Sequence, residues 1–173
     1  MTVRRSILLL VGLVALSSVP ASAGSSPNEA RPPRIRLVYK GEVIQKAAPY
    51  TYCWSRSNPD GTGEGLCADG LTRYPDPVSI SAPTKLVIRI PYRAKPTEWY
   101  LVAYRSIIRR QYRDEPVGPE EKIPFRLRPH RVNGVVRAWK VVFNLDEPLR
   151  HYYLETGGDL AQGDVHYTLH VRS

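Results

Sequence analysis

The four histidines, His130, His151, His166 and His170, are the first candidates for chemistry, as metal ligands or as general acids and bases. His166 and His170 share one face of an alternating segment, but four extended residues at about 3.3 Å each separate them by about 13 Å. A single ion with bonds near 2 Å does not bridge that gap. His151 can join one of them from a neighbouring strand, and no third ligand is visible, so neither metal nor cofactor is expected. The carboxylate pairs Asp114-Glu115 and Asp146-Glu147 are adjacent in sequence and point to opposite faces of an extended chain, which suits exposed turns better than an acid and base pair. No G-x-S-x-G elbow is present. The glycines at 61–65 and 157–158 precede no helix that could bind a phosphate. The run from Asn58 to Glu64 lacks the alternating acidic ligands of a calcium loop and reads as a solvated turn. The chain is not expected to be an enzyme.

Cys53 and Cys67 are the only cysteines. They stand behind an export signal: Arg4-Arg5, an apolar run from Ile7 to Leu16, and the cleavage pattern Ala21-Ser22-Ala23. The apolar run is too short to span a bilayer, no later segment could do so, and there is no lipid-attachment cysteine after it. General secretion is favoured over the twin-arginine route. An even cysteine count in an exported chain predicts a Cys53–Cys67 disulfide, worth about 3 kcal/mol by loop-closure entropy. The closed segment has no hydrophobic period of its own.

Charge is the feature that rises above background. Between 105 and 137 there are nine basic residues and four acids, Asp114, Glu115, Glu120 and Glu121. Arg105, Arg109, Arg110, Arg113, Arg126 and Arg128 are the candidate anion-binding residues, with Tyr104 and Tyr112 interleaved. Guanidinium groups pair bidentately with phosphate and carboxylate. For one surface to form, the 105–113 segment must fold back across the strand carrying Arg126 and Arg128. The expected partner is an anionic envelope polymer or an acidic extracellular protein, not nucleic acid.

These residues need a scaffold. The 173 residues are 42% hydrophobic and 24% charged, with 12 Gly and 16 Pro, a composition that excludes disordered and collagen-like chains. Residues 1–23 read as the signal peptide, 24–33 as a flexible leader and 34–173 as one domain. Without 1–23, 23 basic residues face 16 acids, a net charge of +7.

Short β-branched and aromatic runs between Pro and Gly signals predict an all-β domain of about eight to nine strands, best accommodated by an immunoglobulin-like antiparallel sandwich. Ile35, Leu37 and Tyr39 alternate with polar partners before a turn at Gly41, and Leu86, Ile88 and Ile90 alternate likewise. A short helix is allowed at 105–113. Asn133-Gly134 predicts a two-residue hairpin, and a one-residue bulge near Pro129 is needed to set Leu127 against Trp139 and Phe125 against Val141. The C-terminal pair is expected to run from Leu149 to Thr156 and from Val165 onward, with a loop through Gly157 and Gly163. Tyr152, two residues before Leu154, has the spacing of a tyrosine corner. The expected core is Trp139, Val141, Phe143, Leu154, Tyr167 and Leu169.

Tyr52-Cys53-Trp54, Cys67-Ala68-Asp69, the strand from Leu86 to Ile90, Tyr152-Tyr153-Leu154 and the run from Gln162 to Tyr167 together resemble small secreted or lipid-anchored bacterial proteins of uncharacterised function. The resemblance covers about 47–173 and implies an immunoglobulin-like sandwich in the same compartment; it carries no catalytic residue. The expected function is a secreted, non-enzymatic binding or structural envelope protein that contacts an anionic partner. The alternative is an exported inhibitor of a protease or other hydrolase that presents Arg56 and Leu66 from the disulfide-closed loop.

Overall fold

The computed structural model describes residues 31–57, 60, 62–148 and 151–173. The expected signal peptide and most of the leader lie outside the described residues, as does Leu149. The described residues are all-β, with fourteen strands in place of the eight or nine expected. In chain order they are β1 (Ile35–Tyr39), β2 (Glu42–Ala47), β3 (Thr51–Ser57), β4 (Gly63–Asp69), β5 (Val78–Ser79), β6 (Thr84–Ile90) and β7 (Thr97–Tyr104). There follow β8 (Ser106–Arg109), β9 (Asp114–Val117), β10 (Glu121–Lys122), β11 (Phe125–Val132), β12 (Val135–Leu145), β13 (Tyr152–Leu160) and β14 (Gly163–Arg172). Among the additional strands, β5 and β10 are two residues long and β8 and β9 form a separate two-stranded ribbon, so no hydrophobic period announces them.

One sheet has the order β11-β12-β6-β1-β2; the larger has the order β10-β7-β13-β14-β3-β4, with β5 beside β14 in a parallel pairing. Both contribute to one core. Leu86, Ile88 and Ile90 of β6 and Val141, Phe143 and Leu145 of β12 meet Leu101, Leu154, Val165, Tyr167, Leu169 and Val171 of the larger sheet. Burying a side chain of this kind contributes about 1.5–3 kcal/mol, which is why alternation fixes each strand's inward face. Gln45 ties the open side together, accepting from the His170 backbone N–H at 3.1 Å and donating to the Asp76 carbonyl at 3.0 Å. Pro33, at the end of the leader, is buried and its carbonyl accepts from the Tyr167 hydroxyl at 2.7 Å.

Five of the six expected core residues are buried; Trp139 is only partly so. It pairs with Ile90, the last residue of β6, and its indole N–H donates to the Arg93 carbonyl at 3.2 Å. Trp54 and Trp99 fill the aromatic core instead, with Trp54 edge-on to Tyr92.

The Asn133-Gly134 turn forms with both residues at positive φ, 50° and 78°, as a type I′ turn requires. The expected bulge sits between His130 and Arg131 in register, but the extra residue, Arg137, belongs to β12 rather than β11. Phe125 therefore faces Phe143, and Leu127 faces Val141.

No helix forms at 105–113. β8 and β9 make a hairpin ribbon closed by the Arg110 N–H to Arg113 carbonyl bond at 2.8 Å. Asp114, expected in an exposed turn, is buried: its Oδ2 accepts from the Tyr74 N–H at 2.9 Å, and its backbone N–H donates to the Thr72 carbonyl. The ribbon is thus pinned to the segment that leaves β4.

The C-terminal strands run straight through their glycines. β13 and β14 stay paired from Tyr152 and Val171 down to Leu160 and Gly163. A Cβ at Gly163, whose φ is 149°, would stand 1.8 Å from the Cys53 carbonyl oxygen, so the close approach of β3 to β14 requires glycine there. The Tyr152 hydroxyl donates to the Glu147 carbonyl five residues upstream, the bond of a tyrosine corner.

Candidate anion-binding face

On the five-stranded sheet, inward apolar residues alternate with outward cations. Ile35 and Leu37 face the core and leave Arg36 outside; Ile88 and Ile90 do the same for Arg89, and Val141 for Lys140. Phe125 and Leu127 pack on the core and turn Arg126 and Arg128 outward, while buried Gln45 and Ala47 turn Lys46 outward. Register then aligns these cations across all five strands. Lys46 stands opposite Arg36, Arg36 opposite Arg89, Arg89 opposite Lys140, and Lys140 opposite Arg128. With strands 4.7–4.9 Å apart, the row is about 19 Å long. Lys85, opposite Asn144, and Arg126, opposite Val142, widen it along the strands.

Like charges set directly opposite one another on a sheet destabilise it. None of these seven cations has a carboxylate within ion-pair distance among the described residues. Arg89 is half-buried, and its Nε is buried without a hydrogen-bond partner. His130 follows Arg128 on the same face, and burial together with Lys140 and Arg89 holds its imidazole below the usual histidine range. Two open depressions run along the face. One is lined by Lys85, Val87, Arg89 and Lys140, the other by Lys85, Arg126, Arg128 and Val142, and Lys85 joins them.

Of the six residues singled out in the sequence, Arg126 and Arg128 belong to this face. The other four do not join them. Arg105 is bonded to Glu121 at 3.1 Å and Glu147 at 3.2 Å, while Arg110 and Arg113 hold Glu115 at 3.2 Å and 2.7 Å. Arg109 is exposed on β8, which pairs with β9 and packs beside β13 of the larger sheet, so strand pairing does not lay 105–113 across β11. Arg36, Lys46, Arg89 and Lys140 were missed. Their signal was present, since each is a cation flanked by buried residues in an alternating run, but nothing in a linear charge count joins them.

The disulfide forms as expected, with Cys53 directly opposite Cys67 on the β3–β4 hairpin. Both cysteines are exposed, and β4 is the edge of its sheet. His151 does join His170: His151 Nδ1 lies 2.9 Å from His170 Nε2. His170 Nδ1 lies 3.0 Å from the Pro75 carbonyl, which only accepts, so that nitrogen carries the hydrogen and Nε2 accepts from His151. Burial is the main cause of the lowered pKa of His170. No group of three metal-ligating side chains gathers among the described residues.

The chain matches none of the family profiles, curated proteins or solved structures compared with it.

Proposed function

We propose that the chain is an exported, non-enzymatic binding domain that holds an anionic envelope polymer on the outer face of its five-stranded sheet. The observation that carries this reading is the row of five cations in direct register, none of them ion-paired to a carboxylate among the described residues. A polymer bearing regularly repeated phosphate or carboxylate groups supplies the missing counter-charge along the whole row, and Arg36, Arg89 and Arg128 offer it bidentate donors. The exposed cystine fits an oxidising compartment.

The fold reading is proposed with it, as an immunoglobulin-like sandwich of the kind the sequence resembles. The order β1-β6-β12-β11 corresponds to strands A-B-E-D of that fold, and β7-β13-β14 to C-F-G; the tyrosine corner of Tyr152 then falls at the start of strand F. β2 to β5 become an insertion between A and B, which accounts for most of the additional strands.

The inhibitor alternative is weaker on one observation. Arg56, half of the presented pair, is held by Glu64 at 2.8 Å across its own hairpin, which leaves Leu66 without its charged companion.

The test is a titration of the mature protein with long-chain polyphosphate and with polyglutamate, beside neutral dextran. Saturable binding to a polyanion that weakens as salt rises is expected. Replacing Arg36, Arg89, Arg128 and Lys140 by Gln should abolish it, while the triple change Arg109→Gln, Arg110→Gln and Arg113→Gln should leave it intact. If the triple variant loses binding and the row variant keeps it, the face is misassigned.

A further inference from the structure

We infer that the opposite side of the molecule, the outer face of the seven-stranded sheet, binds a small alkylammonium ion between a group of tyrosines and Glu155. On β13, Leu154 faces the core, so Glu155 faces outward and is half-buried. Its partner across the β7 pairing is Val102, and Tyr100 and Tyr104 stand two residues to either side of Val102. From the segment that leaves β4, the Tyr74 hydroxyl donates to Glu155 Oε1 at 2.6 Å. Tyr100 is bonded to His166 at 2.9 Å, and the Tyr50 ring centroid lies 6.4 Å from that of His166. Four phenol rings therefore gather around one carboxylate.

Two features decide what such a group can take. Glu155 has no cationic side chain within ion-pair distance among the described residues, and a half-buried carboxylate is favoured by a nearby counter-charge. The tyrosine hydroxyls are already engaged: Tyr74 with Glu155, Tyr100 with His166, Tyr104 with Glu120 at 3.4 Å, and Tyr50 with Thr72. A sugar needs donors as well as acceptors, and the hydroxyl hydrogens of Tyr74 and Tyr104 are already committed to carboxylates. Tyr74 is buried, so what remains is the rings of Tyr50, Tyr100 and Tyr104 and a carboxylate, the combination that attracts an ammonium group through the ring quadrupoles. Burial, reinforced by the charge of Glu155, keeps the phenols protonated, with Tyr50 pushed up to about 12. An open cavity at the β7 edge, lined by Trp99, Tyr100, Leu101, Val102, Glu120 and Lys122 among others, meets the group at Tyr100.

The site shares no residue with the basic row, so the two readings fail separately. Choline is the probe, followed through the tyrosine ring signals by NMR, with neutral dimethylbutanol as its uncharged isostere. Saturable shifts are expected with choline, and binding at least tenfold weaker with the isostere. Glu155→Gln should weaken choline about tenfold while leaving the amide spectrum and polyphosphate binding unchanged; Tyr100→Phe, which keeps the ring, should retain it. Equal binding of the neutral isostere, undiminished choline binding by Glu155→Gln, no saturable shift at tens of millimolar, or a glucan binding in place of choline would each overturn the assignment.

Discussion

His130 is the side chain through which the basic row reports its own charge. Burial, then Lys140 and Arg89, lowers its pKa from 6.5. A histidine whose pKa falls on folding contributes stability above the unfolded value near 6.5, and that contribution is lost as the pH drops below it toward the folded value. An anion laid on Lys140 and Arg89 cancels the repulsion, raises the His130 pKa and draws in a proton. Polyphosphate binding should therefore take up a fraction of a proton near pH 6 and tighten as the pH falls from about 7.5 to about 6. Calorimetry in two buffers of different ionisation heat measures the uptake, and His130→Gln should remove it. Uptake that persists in that variant would assign the proton to another group. The unpartnered Nε of Arg89 points the same way, because a buried donor left unpaired costs about 1–3 kcal/mol unless a ligand meets it.

At the scale of elements, the two tryptophans separate what alternation reveals from what it hides. The run from Trp139 to Leu145 names its inward set correctly, yet Trp139 is the last residue of β12 to pair with β6 and stays partly open. Trp54 comes from a hairpin with no visible period and is buried. Trp54→Ala should cost about 3–5 kcal/mol in urea denaturation, and Trp139→Ala clearly less. Equal losses would contradict this division. Strands, turns and the cystine were legible because each rests on neighbours in sequence: alternation for β6, positive φ for Asn133-Gly134, a paired cysteine count for β3 and β4. The β8–β9 ribbon was not legible, since it depends on Asp114 meeting the backbone of Tyr74 forty residues earlier. The cation row was half legible. Outward positions follow from alternation, but alignment follows from register, and register turns on bulges. Were Arg137 paired rather than bulged, Arg128 would face Trp139 instead of Lys140 and drop out of the row.

Across the whole molecule the charges are divided unevenly. Glu115, Glu121 and Glu147 neutralise Arg105, Arg110 and Arg113 around the ribbon, while the cations of the five-stranded sheet have no ion-pair partner among the described residues. Such a face works against folding as well as for binding. Four like-charge contacts in the row, at about 0.2–0.5 kcal/mol each, amount to about 1–2 kcal/mol of repulsion in dilute buffer. Salt shortens the screening length from about 30 Å at 0.01 M to about 8 Å at 0.15 M, enough to relieve part of this. For a chain of this size about 1 kcal/mol corresponds to about 2–4 °C, so the thermal midpoint should rise by a few degrees over that range. The Gln variant at Arg36, Arg89, Arg128 and Lys140 should melt above the parent in dilute buffer and respond less to salt. Differential scanning calorimetry at the two salt concentrations makes the comparison. A parent midpoint that falls with salt would mean that the ion pairs around the ribbon outweigh the row, and the unopposed charge would no longer set the electrostatic character of the protein.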